Sequence, residues 1–455
     1  MSQTPLAWRV ALLGLVTTLT LAAYTLPLGT RGQAMLGFVA FLALVAAFSK
    51  NLRAVNLQTL ICGIALQFLL AIAVLHVPVV RSAFESMGHG VGKILDVSKV
   101  GAEFVFGPLA DPGKSGFIFA FVALPPIIFV SGLFSVLYYF GVLQFFVRIM
   151  ARVMKVLMGT SGAETLSVSA NVFMGQTEAP LIVKPFVPKM TQSELLALMG
   201  SGMAHVSGGM MAVYIGYTSA YFGTDKGTAA AAILITCVMA CPCSLYLTKL
   251  LLPEMEKPET LGDAPIVIEN KFVNPIDALA SGISDGLRLA LNVAAMLIGF
   301  LAMIALIDLL IGEIKPLLLN VFAADLLVWW PDNLTLKHML GWVFRPAALL
   351  IGVPLEETGR VGQLLGIKLV ANEHVAFLDL VKNPTYADLS LRSKTLTVYA
   401  LTGFANFASV GIQLGGIGAI AEGRRHDLAK LGMRALFIGF TATLVNAAVA
   451  GILIR

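Results

Sequence analysis

The chain has 455 residues, 58% of them hydrophobic and only 13% charged, where an ordinary soluble domain is about a quarter charged; this excludes a soluble globular protein and points to an all-α polytopic membrane protein. The formal net charge of +5 fits a basic excess in loops on one membrane face, and no basic run is dense enough for nucleic acid. Cys62, Cys237, Cys241 and Cys243 all sit in apolar stretches without a neighbouring His or carboxylate, so they are taken as small hydrophobes rather than metal ligands.

Apolar runs long enough to cross a bilayer core as helices, about 20 residues each, recur along the sequence. The expected crossings are 10–28, 32–48, 57–79, 116–147, 195–221, 228–251, 287–310, 396–420 and 431–454. The first is longer than a signal-peptide core, and Pro27 and Leu28 make a poor cleavage site, so it is expected to be retained. Residues 81–106 carry scattered charge on an apolar background and are expected to form interfacial helices. Two apolar pieces do not look like simple crossings: 161–186, interrupted by Gly175 and Pro180, and 340–380, interrupted by Gly352, Pro354, Glu356, Glu357 and Gly366. Each is expected to be a re-entrant hairpin, which is tolerated at membrane depth only where protein or a wet cavity surrounds it. The stretch 253–275 is the one clearly polar linker.

Basic residues set the orientation. Lys50 and Arg53, then Arg148, Arg152 and Lys155, then Arg424, Arg425 and Lys430 are expected to be cytoplasmic. Nine alternating crossings put all three groups on one side, with the N-terminus cytoplasmic, the C-terminus periplasmic or extracellular, and the hairpins entering from opposite faces.

The two halves share elements in the same order. "GMAHVSGGM" from Gly202 and "GFANFASVG" from Gly403 lie inside apolar spans, where small and polar residues favour a break. Each follows a hairpin carrying a polar residue before a glutamate, Thr177-Glu178 and Asn372-Glu373. The expected fold is an inverted repeat with two re-entrant hairpins and two broken transmembrane helices, the construction that places substrate at the bilayer midplane. Intramembrane acids such as Glu178 and Glu373 are functional by default.

"ANVFMGQTEAPLIVKPFVPKMTQSEL", "GVPLEETGRVGQLLGIKLVANEHVAF" and "LTGFANFASVGIQLGGIG" resemble the signature segments of the concentrative nucleoside transporter family, in its bacterial form. The resemblance covers the chain from about Met35 onward. It implies a homotrimer in the inner membrane in which each protomer imports nucleosides by elevator-type cation symport. It implies an organisation of an additional N-terminal helix (1–31), N-terminal and interfacial helices (32–115), a scaffold helix (116–160), a first repeat (161–252), a cytoplasmic linker (253–283), a second scaffold helix with an external segment (284–339) and a second repeat (340–455). It further implies that Gly175, Gln176, Thr177, Glu178 and Met210 hold the base. Glu373, Asn406 and Ser409, with Phe404 close by, would hold the ribose. Asn171, the carbonyl of Met174, His205 and Val206 would form a sodium site; no other cofactor is implied.

Two positions depart from the family pattern. His205 stands where a small hydroxyl residue is usual, and His374 where Phe is usual. Imidazole is a poor sodium ligand and titrates near neutrality, so sodium is favoured and proton coupling stays open. Glu164, Asn292, Asp308 and Gln144 are assigned to structural hydrogen bonds; His76, His89, His338 and His426 are expected to be solvated. An intramembrane enzyme using the paired glutamates as acid and base is the rival from another class, but no nucleophile with an activating base accompanies them. A passive nucleoside channel is the other.

Overall fold

The computed structural model describes residues 4–116, 118–122, 124–223, 226–261, 272–319 and 334–454, and among them every regular element is helical. The N-terminal helices are α1 (Leu6–Thr25), α2 (Gly29–Ala47), α3 (Leu57–His76) and α4 (Pro78–Phe106). Short turns α5 (Pro112–Ser115) and α6 (Phe119–Val122) lead into α7 (Leu124–Tyr139) and α8 (Val142–Met158). The first functional block comprises α9 (Gly162–Ala170), α10 (Ala179–Ile182), α11 (Gln192–Ala204), α12 (Gly208–Phe222) and α13 (Lys226–Leu251). After the long α14 (Pro275–Leu319), the second block comprises α15 (Leu336–Leu350), α16 (Thr358–Val370), α17 (Glu373–Lys382), α18 (Leu391–Leu401), α19 (Phe407–Ile420) and α20 (Arg425–Leu453).

Eight helices among the described residues are long and apolar enough to cross a membrane. The ninth expected crossing, 396–420, is divided between α18 and α19, which leaves only a short apolar helix, Phe407–Ile420. The span expected over 116–147 ends at Tyr139, because Gly141 adopts a left-handed conformation (φ 78°) and starts the separate helix α8. The 81–106 segment is one continuous helix, α4, rather than several. Helix α14 begins at Pro275, inside the stretch expected to be linker. Residues 262–271 of that linker, and 320–333 of the expected external segment, lie outside the described residues.

The piece 340–380 contains two reversals where one was expected. Leu340 lies against Gly366 and Arg345 Nε donates to Thr358 Oγ1 at 3.1 Å, so α15 and α16 run antiparallel around Gly352. The chain turns again at Ala371 and Asn372, bringing Tyr386 back to Gln363 (3.1 Å) and Thr385 back to Arg360 (3.1 Å). Glu373 therefore stands at the tip of the α16–α17 hairpin.

Local capping fixes the base of each hairpin. Ser161 and Glu164 form a capping box on α9, and Thr191 and Glu194 form one on α11, each satisfying N-terminal amides that the helix leaves unpaired. Ser161 Oγ also donates to Glu194 Oε1 at 2.5 Å, so the two helices start side by side. In the second block Glu357 plays the linking part, accepting from the amide and hydroxyl of Ser390 and the hydroxyl of Ser393. The first base sits near Arg424, whose guanidinium donates to Met190 O. The second sits near the far end of α20, where Arg392 donates to Ile454 O. Helix α20 spans 29 residues, about 44 Å at 1.5 Å per residue, so the hairpins open at opposite ends of the molecule.

Candidate functional site

Both long polar segments inside apolar spans are helix breaks. Helix α11 ends at Ala204, His205 is extended (φ −113°, ψ 170°), and Ser207 caps α12 by accepting from Met210 N. Helix α18 ends at Leu401, and Asn406 caps α19 by accepting from Ser409 N at 2.9 Å. The unwound turns meet: Phe404 N donates to His205 O at 3.1 Å. Gly403 makes this approach possible, since its φ is +151° and a Cβ there would sit 2.6 Å from Thr443 Cγ2 and 3.0 Å from Ala204 O.

Carbonyls within two turns of the breaks accept from side chains, as buried backbone groups favour. Met199 O accepts from Gln413 Nε2 (2.8 Å), and Ala400 O accepts from Lys368 Nζ (2.7 Å). Ser201 O accepts from His205 Nδ1 (2.8 Å), which fixes the tautomer because a carbonyl cannot donate. His205 Nε2 then faces Cys241 Sγ at 3.4 Å.

Glu373, in the first turn of α17, is buried with both carboxylate oxygens hydrogen-bonded. Its Oε1 accepts from Tyr214 OH (3.0 Å) and its Oε2 from Asn406 Nδ2 (2.8 Å). The carboxylate faces the N-terminal end of α19 through Asn406 and lies at that of α17; both ends carry partial positive charge. Each oxygen keeps a lone pair for a further donor. On the opposite hairpin Gln176 Nε2 donates to Ser409 Oγ at 3.2 Å, while its Oε1 is buried with no hydrogen-bond partner. Thr177 packs on Gly416 of α19, where a Cβ would approach its Cγ2 to 2.8 Å. The four residues Gln176, Ser409, Asn406 and Glu373 thus form one hydrogen-bonded series joining the hairpin tips through α19.

The remaining residues named from sequence are placed as follows. Glu178 is exposed and turns back on its own loop, its Oε2 accepting from Gly175 N at 3.2 Å. Met210 and Val206 are buried, and Phe404 and Met174 are half-buried. Asn171 donates to Ser167 O (3.2 Å) and Ser201 Oγ (3.0 Å), and its Oδ1 is buried without a partner. That orphaned hard oxygen suits a cation such as sodium; the His205 ring supplies no oxygen, and the His205 carbonyl is taken by Phe404. Among the described residues no group of three or more His, Cys, Asp and Glu side chains could hold a metal ion. Glu164 (paired with Lys249 at 2.7 Å), Gln144 and Asp308 all make structural contacts, while Asn292 and His76, His89, His338 and His426 are exposed.

Two contributors, Tyr214 and Lys368, escaped the sequence, whereas His374 was marked there only as a departure from the family pattern. Tyr214 looks like packing on an apolar helix. Lys368, fully buried, donates to Ala400 O and Thr443 Oγ1 (both 2.7 Å), lies over the Phe440 ring at 5.3 Å, and interacts electrostatically with Glu373. Its signal was a lone cation in "GIKLV", inside an apolar hairpin. His374 faces the rings of Phe119, Tyr214 and Tyr217 at 5.1, 6.0 and 5.6 Å.

Comparison with known proteins adds to this geometry. Family models for the Na+ dependent nucleoside transporter N-terminus and C-terminus match residues 36–109 and 232–451, and one for nucleoside recognition matches 120–221. An uncharacterized transporter of Haemophilus influenzae is 39% identical, with 93% of this chain and 97% of that protein aligned. Nucleoside permease NupC of Helicobacter pylori is 33% identical over 93% of this chain and 96% of its own. The mouse sodium/nucleoside cotransporter 1 is 37% identical over 92% of this chain and 63% of the mouse protein. CNTnw solved in an inward-facing, substrate-bound state superposes with a TM-score of 0.83 at 35% identity, over 92% of this chain and 97% of that one. A CNTnw variant in an outward-facing state gives 0.82.

Proposed function

The chain belongs to the concentrative, sodium-dependent nucleoside transporter family, and from that premise we propose that it imports nucleosides by cation symport through an elevator-type alternation of access. It is a multi-pass membrane nucleoside cotransporter and not an enzyme. The observation that carries the finer reading is the Glu373 carboxylate, gripped by Tyr214 and Asn406 at the tip of one hairpin and linked through Ser409 to Gln176 of the other.

A nucleoside offers vicinal ribose hydroxyls and a base edge of donors and acceptors. Glu373 and Asn406 would take the ribose, the carboxylate accepting from a hydroxyl. Gln176, Thr177 and the Gly175–Glu178 loop would take the base, with the unpaired Gln176 Oε1 accepting from a base N–H; Met210 and Phe404 would wall the pocket. A site committed to hydroxyl hydrogen bonds rejects analogues that lack them, because its own buried groups are left unpaired.

Sodium is the favoured coupling ion, supported by the unpartnered Asn171 Oδ1 and its position beside the His205 break, with the Met174 carbonyl and Val206 completing the set. Proton coupling is the second reading, favoured by His205 in place of a hydroxyl ligand. Hairpins opening at opposite ends of α20 support an inverted repeat. Relatives solved in inward-facing, outward-facing and intermediate states support alternating access. The cytoplasmic placement of the N-terminus follows the basic loops, which cluster at the first hairpin's end. The apolar side chains exposed along α14, such as Leu291, Ile298 and Leu309, are the surface that two further copies would cover in a homotrimer. Thermal-shift titration with uridine, adenosine and the free bases tests the substrate class: stabilisation by intact nucleosides is expected, and stabilisation by free base alone would overturn it.

A further inference from the structure

Helix α1 is poorly held by protein. Of its residues only Ala23 is buried, yet its first turn is tied firmly to the loop after α2. Thr4 N donates to Lys50 O (3.1 Å), Leu52 N donates to Thr4 Oγ1 (2.9 Å), and the Arg53 guanidinium lies 5.2 Å from the Trp8 ring centre. The loop is in turn tied to the core, since Lys50 N donates to Leu251 O at 2.9 Å.

Between α1, this loop and α20 lies a cavity of about 540 Å³. Its polar lining is three cations, Arg9, Lys50 and Arg434, and no carboxylate lines it. None of the three forms an ion pair with a carboxylate among the described residues. Arg9 reaches Ser49 O with one guanidinium nitrogen at 3.4 Å, while its Nε is buried without a hydrogen-bond partner. The rest of the lining is apolar. Phe48 and Phe437 meet edge to face at 5.6 Å, and Phe48 and Met433 are 55% and 58% exposed, so this floor is open to whatever adjoins the helices.

Three like charges crowded around one cavity repel one another, and an unpaired buried guanidinium nitrogen is costly. A water-soluble anion would answer the charge but not the apolar floor, and a neutral lipid would answer the floor but not the charge. The chemistry that answers both is an acyl chain joined to a phosphodiester. The cavity is also at the end of the molecule where the basic loops gather, the level at which anionic headgroups of the cytoplasmic leaflet lie.

We propose that this cavity is a binding site for an anionic phospholipid, its phosphodiester held by Arg9, Lys50 and Arg434 and an acyl chain laid on Phe48, Met433 and Phe437. The lipid acts as mortar between α1 and the α2–α20 body, joining a helix that protein contacts alone hold weakly.

The test uses the full chain, purified and delipidated in detergent, with phosphatidylglycerol, phosphatidylcholine and inorganic phosphate as probes in native mass spectrometry and thermal unfolding. Phosphatidylglycerol is expected to be retained and to raise the melting temperature, with phosphatidylcholine and phosphate giving no comparable shift. With about 1 kcal/mol for each basic residue near an anionic headgroup, the triple variant Arg9→Gln/Lys50→Gln/Arg434→Gln is expected to bind phosphatidylglycerol on the order of a hundredfold more weakly. The charge-keeping variant Arg9→Lys/Arg434→Lys is expected to retain binding, and Arg152→Gln, an exposed basic residue elsewhere, to leave it unchanged. Equal retention of the two lipids by the wild-type chain would overturn the proposal without recourse to any variant. An equal shift from inorganic phosphate would show a free-anion site and overturn it as well.

Discussion

The backbone amide of Phe404 donates to the carbonyl oxygen of His205 at 3.1 Å, so the two helix breaks of the molecule touch each other. One bond thereby joins the element bearing Ser201, His205 and the nearby Asn171 to the element bearing Asn406 and Ser409. The residues expected to serve the coupling ion and those expected to serve the ribose share one backbone contact.

This contact depends on Gly403. With φ at +151° and a Cβ destined for 3.0 Å from Ala204 O, Gly403→Ala combines an unfavourable backbone region with a clash. A loss of about 1–3 kcal/mol is expected, seen as a lower melting temperature of the detergent-purified protein. An unchanged melting temperature would mean that the two breaks do not need this close approach.

Glu373→Gln keeps the shape of the side chain and removes its charge. Hydrogen bonds to a charged group contribute about 1.5–3 kcal/mol, so nucleoside affinity by calorimetry is expected to fall roughly 10- to 150-fold. Tyr214→Phe, which removes one donor to the carboxylate, is expected to cost less, and 2′-deoxynucleosides are expected to bind more weakly than ribonucleosides to the wild type. Equal affinity of the Glu373→Gln variant and the wild type would place the ribose elsewhere.

Gln176 and Ser409 are 3.2 Å apart on different functional elements. A double-mutant cycle with Gln176→Ala and Ser409→Ala, read as nucleoside affinity, is expected to show coupling of about 0.5–1.5 kcal/mol. Strict additivity would break the series that joins the hairpin tips.

Lys368 is buried and interacts electrostatically with Glu373. Removing one member of a buried, compensated arrangement costs about 3–5 kcal/mol, so Lys368→Met is expected to express poorly and melt well below the wild type. A variant as stable as the wild type would show that Glu373 does not rely on this cation.

Asn171 Oδ1 is a buried, unpartnered hard oxygen, and its amide donates to Ser201 in the helix that ends at the His205 break. Asn171→Ala is expected to raise the sodium concentration needed for half-maximal uptake by at least several-fold. Uridine accumulation unchanged when sodium is replaced by choline, but abolished by collapsing a proton gradient, would move the assignment to protons.

Much of this was legible in the sequence because broken helices and hairpin tips announce themselves by polar residues in apolar surroundings. Gln176, Glu373, Asn406 and Ser409 carry that signal, and the structure brings them together. What was missed lacks it. Gly141 ends a span in the middle of uninterrupted apolarity, so hydrophobicity alone ran the helix on to 147. The turn at Ala371 and Asn372 has neither Gly nor Pro, so the breakers at Gly352 and Pro354 announced the first reversal of the segment and nothing announced the second. Tyr214 joins the site through one hydroxyl on an otherwise apolar face, a role that depends on Glu373 arriving from 159 residues away.

The most direct test of the central claim is gradient-driven uptake of radiolabelled uridine by proteoliposomes carrying the wild type or Glu373→Gln. Accumulation above the equilibrium level by the wild type, dependent on an imposed cation gradient and lost in the variant, is the expected result. Uridine that only equilibrates whatever gradient is imposed, or accumulates equally through both proteins, would contradict the account.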